Sequence, residues 1–170
     1  MTPTSNSLQA LVAELTMAHS MLQEKPAHVS ARAQEAQQLS SEAHLIAVAY
    51  EIHNFYGLCE YVFERTGAVF TVPIARPERY HEELLHQMAL DIPQVRPAVL
   101  TTTLKDHLDE LRRFHRLFRH AYMMSLDRQR VLELAERVVS VSAALNEPLE
   151  RFRTYLLELA DRLDSADSIR

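Results

Sequence analysis

With 170 residues, 47% of them hydrophobic, the chain is long enough for one domain with a packed core, and its two glycines leave little material for the hairpin turns of a β protein. A net charge of −5 excludes a protein that coats nucleic acid non-specifically, since such binding is driven by phosphate neutralisation; any nucleic-acid contact must be local. The lone cysteine excludes an internal disulfide, and no stretch has the pattern of a signal peptide or of ~20 uninterrupted apolar residues that span a membrane, so the expected compartment is cytoplasmic.

The expected fold is all-α: a single domain over 1–170, built as a helical bundle of about five helices around a long central one, with loose ends at 1–7 and 164–170. Leu8, Leu11, Val12, Leu15, Ala18 and Leu22 recur at three-and-four spacing, which predicts a first helix capped by Asn6 or Ser7 and ended before Pro26. A second, long helix is expected from near Ser30 to about Arg65, closed by Gly67. From Leu45 it turns apolar on nearly all sides, through Ile46, Val48, Tyr50, Ile52, Phe55, Leu58, Tyr61 and Phe63, as a central helix does. His53 and Asn54 within it need partners if buried, and a satisfied core histidine is the plainer reading of His53 than a substrate contact. Gly57 in mid-helix suggests close approach of another backbone, at a helix crossing or a subunit contact.

Residues 67–77 form the one strand-like run, but Pro73 and Pro77 make it a poor ladder member and predict an extended surface connection. A third helix over 78–91 would turn Tyr80, Leu84, Leu85 and Met88 inward. Pro93 and Pro97 frame a turn, and Thr101–Thr103 supply a capped start for a fourth helix over about 102–124. Ser125-Leu126-Asp127 reads as a break and a new cap. From Arg128 to about Leu163 the apolar series continues through Pro148, giving one kinked helix or two in sequence.

Nine histidines make a metal site worth testing. In His81-Glu-Glu-Leu-Leu-His86 the imidazoles stand about 140° apart around a helix and cannot share a metal as an i, i+4 pair does. Glu78 with His81 and Glu83 with His86 have the spacing used in di-iron bundles, but both pairs lie on one helix, where solvated charge accounts for them. Cys59 reads as a small buried hydrophobe. No glycine-rich phosphate loop, nucleophile elbow or paired-cysteine pattern is present, and neither a metal nor a cofactor is expected.

The chemical constellation is the stretch Leu111-Arg-Arg-Phe-His-Arg-Leu-Phe-Arg-His-Ala-Tyr122, with four arginines and two histidines in an acidic chain. On a continuous helix Arg113 and His120 nearly eclipse, with Arg116 one turn below His120. Guanidinium grips phosphate in two places and imidazole trades protons near neutrality, which are the tools for cleaving a phosphodiester. The bland alternative is a solvated helix face.

Arg113 followed after six residues by His120-Ala-Tyr122 resembles the Arg-x4-6-His-x-Tyr motif of HepT-like proteins in the HEPN ribonuclease superfamily. His53-Asn-Phe-Tyr56, His81 to Met88, Arg96-Pro-Ala-Val99 and Phe118-Arg-His-Ala-Tyr122 look like the same branch in the same order, over about residues 40–135. Position 115, separated from His120 by four residues, is a histidine here.

The resemblance implies a helical bundle that forms a homodimer with the motifs of both subunits in a shared cleft, and a toxin that cleaves RNA without a metal. It implies Arg113 and His120 as the catalytic pair, and Tyr122 as the tyrosine that a nucleotidyltransferase antitoxin partner modifies with AMP. Arg116 and Arg119 would then be auxiliary RNA-binding contacts to phosphate. Tyr122 is about 200° from His120 around an ideal helix, so one cleft holds both if the helix unwinds or the partner subunit completes the site. The competing function is a non-catalytic helical module that binds an acidic partner or nucleotide through the arginine cluster.

Overall fold

The computed structural model describes residues 3–70, 74, 77–120 and 125–167. Among these the chain is helical, with five α-helices and no strand: α1 (Ser5–Leu39), α2 (Glu42–Phe70), α3 (Tyr80–Met88), α4 (Thr102–Phe118) and α5 (Arg128–Asp167). Helix α1 starts at a capping box in which the Thr4 hydroxyl accepts from the Ser7 N–H and the Ser7 hydroxyl accepts from the Thr4 N–H. The cap is therefore Thr4, ahead of the expected Asn6 or Ser7.

Pro26 does not end α1. A proline lacks the N–H that would reach the Leu22 carbonyl one turn back, and the Ser142 hydroxyl on α5 donates to that carbonyl instead, at 3.0 Å. The buried series Leu15, Leu22, Val29 and Ala36 continues at seven-residue intervals across the proline, so packing carries the helix through it. The interruption comes at Ser40, whose left-handed backbone (φ 44°, ψ 25°) terminates α1. The Arg128 guanidinium bonds the Ala36 carbonyl, one of the unpaired acceptors of that last turn. The stretch after Ser30 that was expected to open the central helix thus belongs to α1.

Helix α2 touches every other helix. It buries Leu45, Val48, Ala49, Ile52, Phe55, Tyr56, Cys59, Val62 and Phe63, all part of one continuous core. Its central place matches the apolar composition, but Ile46, Tyr50 and Tyr61 remain exposed, so one stripe is left uncovered. Gly67 does not close it: the helix continues to Phe70, replacing the start of the expected extended connection. A Cβ at Gly57 would meet the His115 ring at 3.7 Å, an ordinary contact, so among the described residues it is a side chain and not a crossing backbone that lies against it.

A 3₁₀ turn over Pro77–Arg79 leads into α3, which is shorter than the expected 78–91 helix. Leu84, Leu85 and Met88 are buried as expected, while Tyr80 faces outward. Beyond α3 the buried Arg96 guanidinium donates to the carbonyls of Gln87, Leu90 and Pro97, tying the following turn to the end of the helix. Thr101 caps α4 by accepting from the Leu104 N–H. Asp127 caps α5 through the Arg130 N–H, as the sequence suggested. Helix α5 runs as one element through Pro148 and packs along α1. No described helix is long and apolar enough to cross a membrane.

Candidate active site

Arg112, His115, Arg116 and Arg119 follow one another at three, one and three residues, the spacing of a single helical face. That face of α4 turns toward α2 and α3 and, with His120, forms one wall of a cleft of about 300 Å³. Glu60 of α2 lies at its floor, and Arg79, Tyr80 and His81 form the opposite wall.

The charges of this cleft are unequally committed. Arg112 donates to Asp109 at 2.7 Å, and Arg79 is paired with Glu82. Arg116 and Arg119 have no ion-pair partner among the described residues. Two uncommitted guanidiniums beside His120 give the cleft its capacity for an anion.

At the floor, Glu60 stands between two imidazoles. Its Oε1 is 2.9 Å from Nδ1 of His81, and its Oε2 is 3.9 Å from Nε2 of His115. Burial pushes the Glu60 carboxyl up from the usual range; His81 pulls the other way. The Nδ1 of His115 bonds the His53 carbonyl at 3.1 Å, so that nitrogen carries the hydrogen. Burial lowers the His115 pKa to about 4, and the neighbouring His53, Arg119 and His81 charges add to the shift. His115 is therefore neutral near pH 7. The His53 ring stacks on it with centroids 4.1 Å apart and planes within 9°, and its pKa is also lowered, first by burial and then by Arg119.

His53 is thus neither solvent-exposed nor a fully satisfied core histidine: its Nδ1 is buried without a hydrogen-bond partner among the described residues. Cys59 is fully buried, and burial pushes its thiol up, which fits an inert small hydrophobe.

The structure brings together Arg116, Arg119 and His120 of the residues singled out in the sequence. Helix α4 ends at Phe118 rather than near 124, closed by a tight bond from the His120 N–H to the Leu117 carbonyl, so His120 sits on a turn. The continuous-helix argument for Arg113 eclipsing His120 does not apply. Arg113 is outside the cleft lining, 74% exposed, and bonds Asp109 at 2.7 Å. Tyr122 lies outside the described residues. Glu60 was not singled out; His81 was weighed as a metal ligand and set aside, and Arg112 and His115 lay within the highlighted stretch without a role of their own, whereas the Glu60–His81 pairing joins distant parts of the chain.

A family profile described as HepT-like protein matches residues 47–156, which cover α2 through most of α5. The chain belongs to the HepT-like family. This is a branch of the HEPN superfamily, and the match spans well over half of the chain. No curated protein and no solved structure matches. In this HepT-like chain, the position five residues before His120 is occupied by the buried, neutral His115.

Proposed function

We propose that this HepT-like protein is a metal-independent endoribonuclease, the toxin of a toxin–antitoxin pair. The observation that carries the reading is the cleft in which Arg116 and Arg119, free of carboxylate partners, flank His120. An RNA phosphate is the ligand that two free guanidiniums beside a proton-transferring imidazole suit best. His120 takes the proton of the 2′-hydroxyl as it attacks the adjacent phosphorus, and a cyclic 2′,3′-phosphate and a 5′-hydroxyl result. Arg116 and Arg119 hold the phosphates on either side.

Arg113 stabilises the charge that develops on the phosphorane. Its exposed side chain lies outside its own chain's cleft, on the α4 face that also exposes Leu117, so we assign it to the cleft of the second subunit in a homodimer. The uncovered apolar residues Ile46, Tyr50 and Tyr61 of α2, with Met17 and Met21 of α1, supply the surface for that second copy. Silencing is by AMP modification of Tyr122 by a nucleotidyltransferase antitoxin. This part of the reading comes from the family alone.

The test is RNA cleavage by purified protein in EDTA with end-group analysis. Cleavage giving cyclic phosphate ends, abolished by His120→Ala in a folded variant, supports the reading. One observation favours a second reading, a non-catalytic module that binds an acidic partner or nucleotide: within one chain the cleft holds free arginines without Arg113. Salt-sensitive binding with no turnover, lost equally in Arg113→Ala and Arg116→Ala, is its signature.

A further inference from the structure

We propose that His81, held by Glu60, is the second proton-transfer residue of the cleft and protonates the leaving 5′-oxygen; this inference rests on the ribonuclease reading above. Breaking a phosphodiester by 2′-hydroxyl attack moves two protons, one off the nucleophile and one onto the leaving group. His120 can serve one of these positions at a time. A second imidazole in the same cleft completes the pair.

His81 meets the geometric requirements. It stands at the start of α3 on the wall opposite the α4 arginines, lining the same cleft as His120. Its Nδ1 donates to Oε1 of Glu60 at 2.9 Å, which fixes the ring and leaves Nε2 without a partner among the described residues. Glu60 is held in turn by its place on the central helix, with its side chain 13% exposed against 46% for His81. With Nδ1 occupied by the carboxylate, Nε2 is the ring nitrogen that exchanges a proton with the substrate. The Tyr80 ring meets the imidazole edge-on, at 5.3 Å between centroids, and restricts it from the outside.

The other imidazole at Glu60 does not compete. His115 spends its one ring hydrogen on the His53 carbonyl and turns an unprotonated Nε2 toward Glu60, at 3.9 Å. The groups facing the pair are Glu64 from α2, Arg112, His115 and Arg119 from α4, and Glu82 beside His81 on α3. Among them Arg119 is the cation placed to draw the substrate phosphate between the two histidines.

The step balances without any further reactant. The 2′-oxygen forms a bond to phosphorus as its proton passes to His120. The bond from phosphorus to the 5′-oxygen breaks, and that oxygen takes the proton from Nε2 of His81. The cyclic phosphate and the free 5′-hydroxyl leave, and water exchanges a proton off His120 and onto His81. Glu60 touches no reacting atom and acts as a positioning residue.

The experiment compares parent, His81→Ala, Glu60→Gln and His120→Ala proteins on an ordinary RNA oligonucleotide and on one whose scissile 5′-oxygen is replaced by sulfur. A thiolate leaves without a proton. His81→Ala is expected to lower kcat on the ordinary substrate about 100-fold, with KM changed less than about threefold, and to recover to within about fivefold of parent on the sulfur substrate. Glu60→Gln is expected to lose about tenfold in kcat and to recover likewise. An active His81→Ala on the ordinary substrate, beside an inactive His120→Ala, overturns the assignment and leaves the ribonuclease reading standing. An equal loss on both substrates also overturns it, because a merely structural role would not depend on the leaving group. A parent protein that cleaves neither substrate removes the ribonuclease reading, and this inference with it.

Discussion

The hydroxyl of Ser142 occupies the hydrogen-bonding position that Pro26 leaves empty, donating across the α1–α5 interface to the Leu22 carbonyl at 3.0 Å. A buried carbonyl without a donor costs about 1–3 kcal/mol, so Ser142→Ala should destabilise the fold by roughly that amount. Replacing Pro26 by Ala restores the backbone donor. In that background Ser142→Ala should cost distinctly less, which urea unfolding of the four proteins of the cycle measures.

The stacked pair His53 and His115 makes stability depend on acid. The folded-state pKa of His115 is lowered from 6.5 to about 4, and that of His53 shifts the same way. Between those values the unfolded chain binds a proton that the folded chain refuses, so stability is complete above 6.5 and falls as pH drops toward 4. For His115 alone the loss reaches about 3 kcal/mol. The raised carboxyl of Glu60 acts in the opposite sense, its contribution growing as pH falls. Urea unfolding between about pH 7 and pH 4.5 should show a decline in the parent that is shallower in His115→Phe.

Placement of Arg113 outside its own cleft leads to a complementation test. Arg113→Ala and His120→Ala proteins should each be inactive alone. Mixed after unfolding and refolding together, they form heterodimers in which one cleft of the two is intact, and activity should return to about a quarter of parent. Mixtures that stay inactive place Arg113 and His120 in the same chain's site.

Arg116 and Arg119 should behave as phosphate contacts. Their replacement by Ala is expected to raise KM several-fold, with kcat changed less, and to reduce the slope of log affinity against log salt by about one unit each. Arg112, held by Asp109 at 2.7 Å, should give a smaller change in the slope. A nitrocellulose or fluorescence titration across salt concentrations reads all three.

The helical class and the buried faces were legible in the sequence, because Leu8 to Leu22 and Val131 to Leu156 carry a clean helical period. The errors lie where local signals meet tertiary partners. Pro26 looks like a terminator until Ser142, remote in the chain, supplies the missing donor. Ser40, with no strong breaker character of its own, takes the left-handed conformation that turns α1 back toward α2. In the cleft, Arg116, Arg119 and His120 were found as a charge anomaly within one stretch. Glu60 escaped, and His81 was weighed for a metal and set aside, because a carboxylate on α2 and an imidazole on α3 acquire their relation only when the helices pack.

The lone thiol of Cys59, sealed in the core at 1% exposure, gives this protein a clock of its own. No reagent reaches the sulfur while α2 remains packed, so the rate of thiol labelling counts openings of the central helix rather than chemistry at the surface. An RNA or a second subunit that closes the molecule down should slow that clock, whether or not any bond in the RNA is cut.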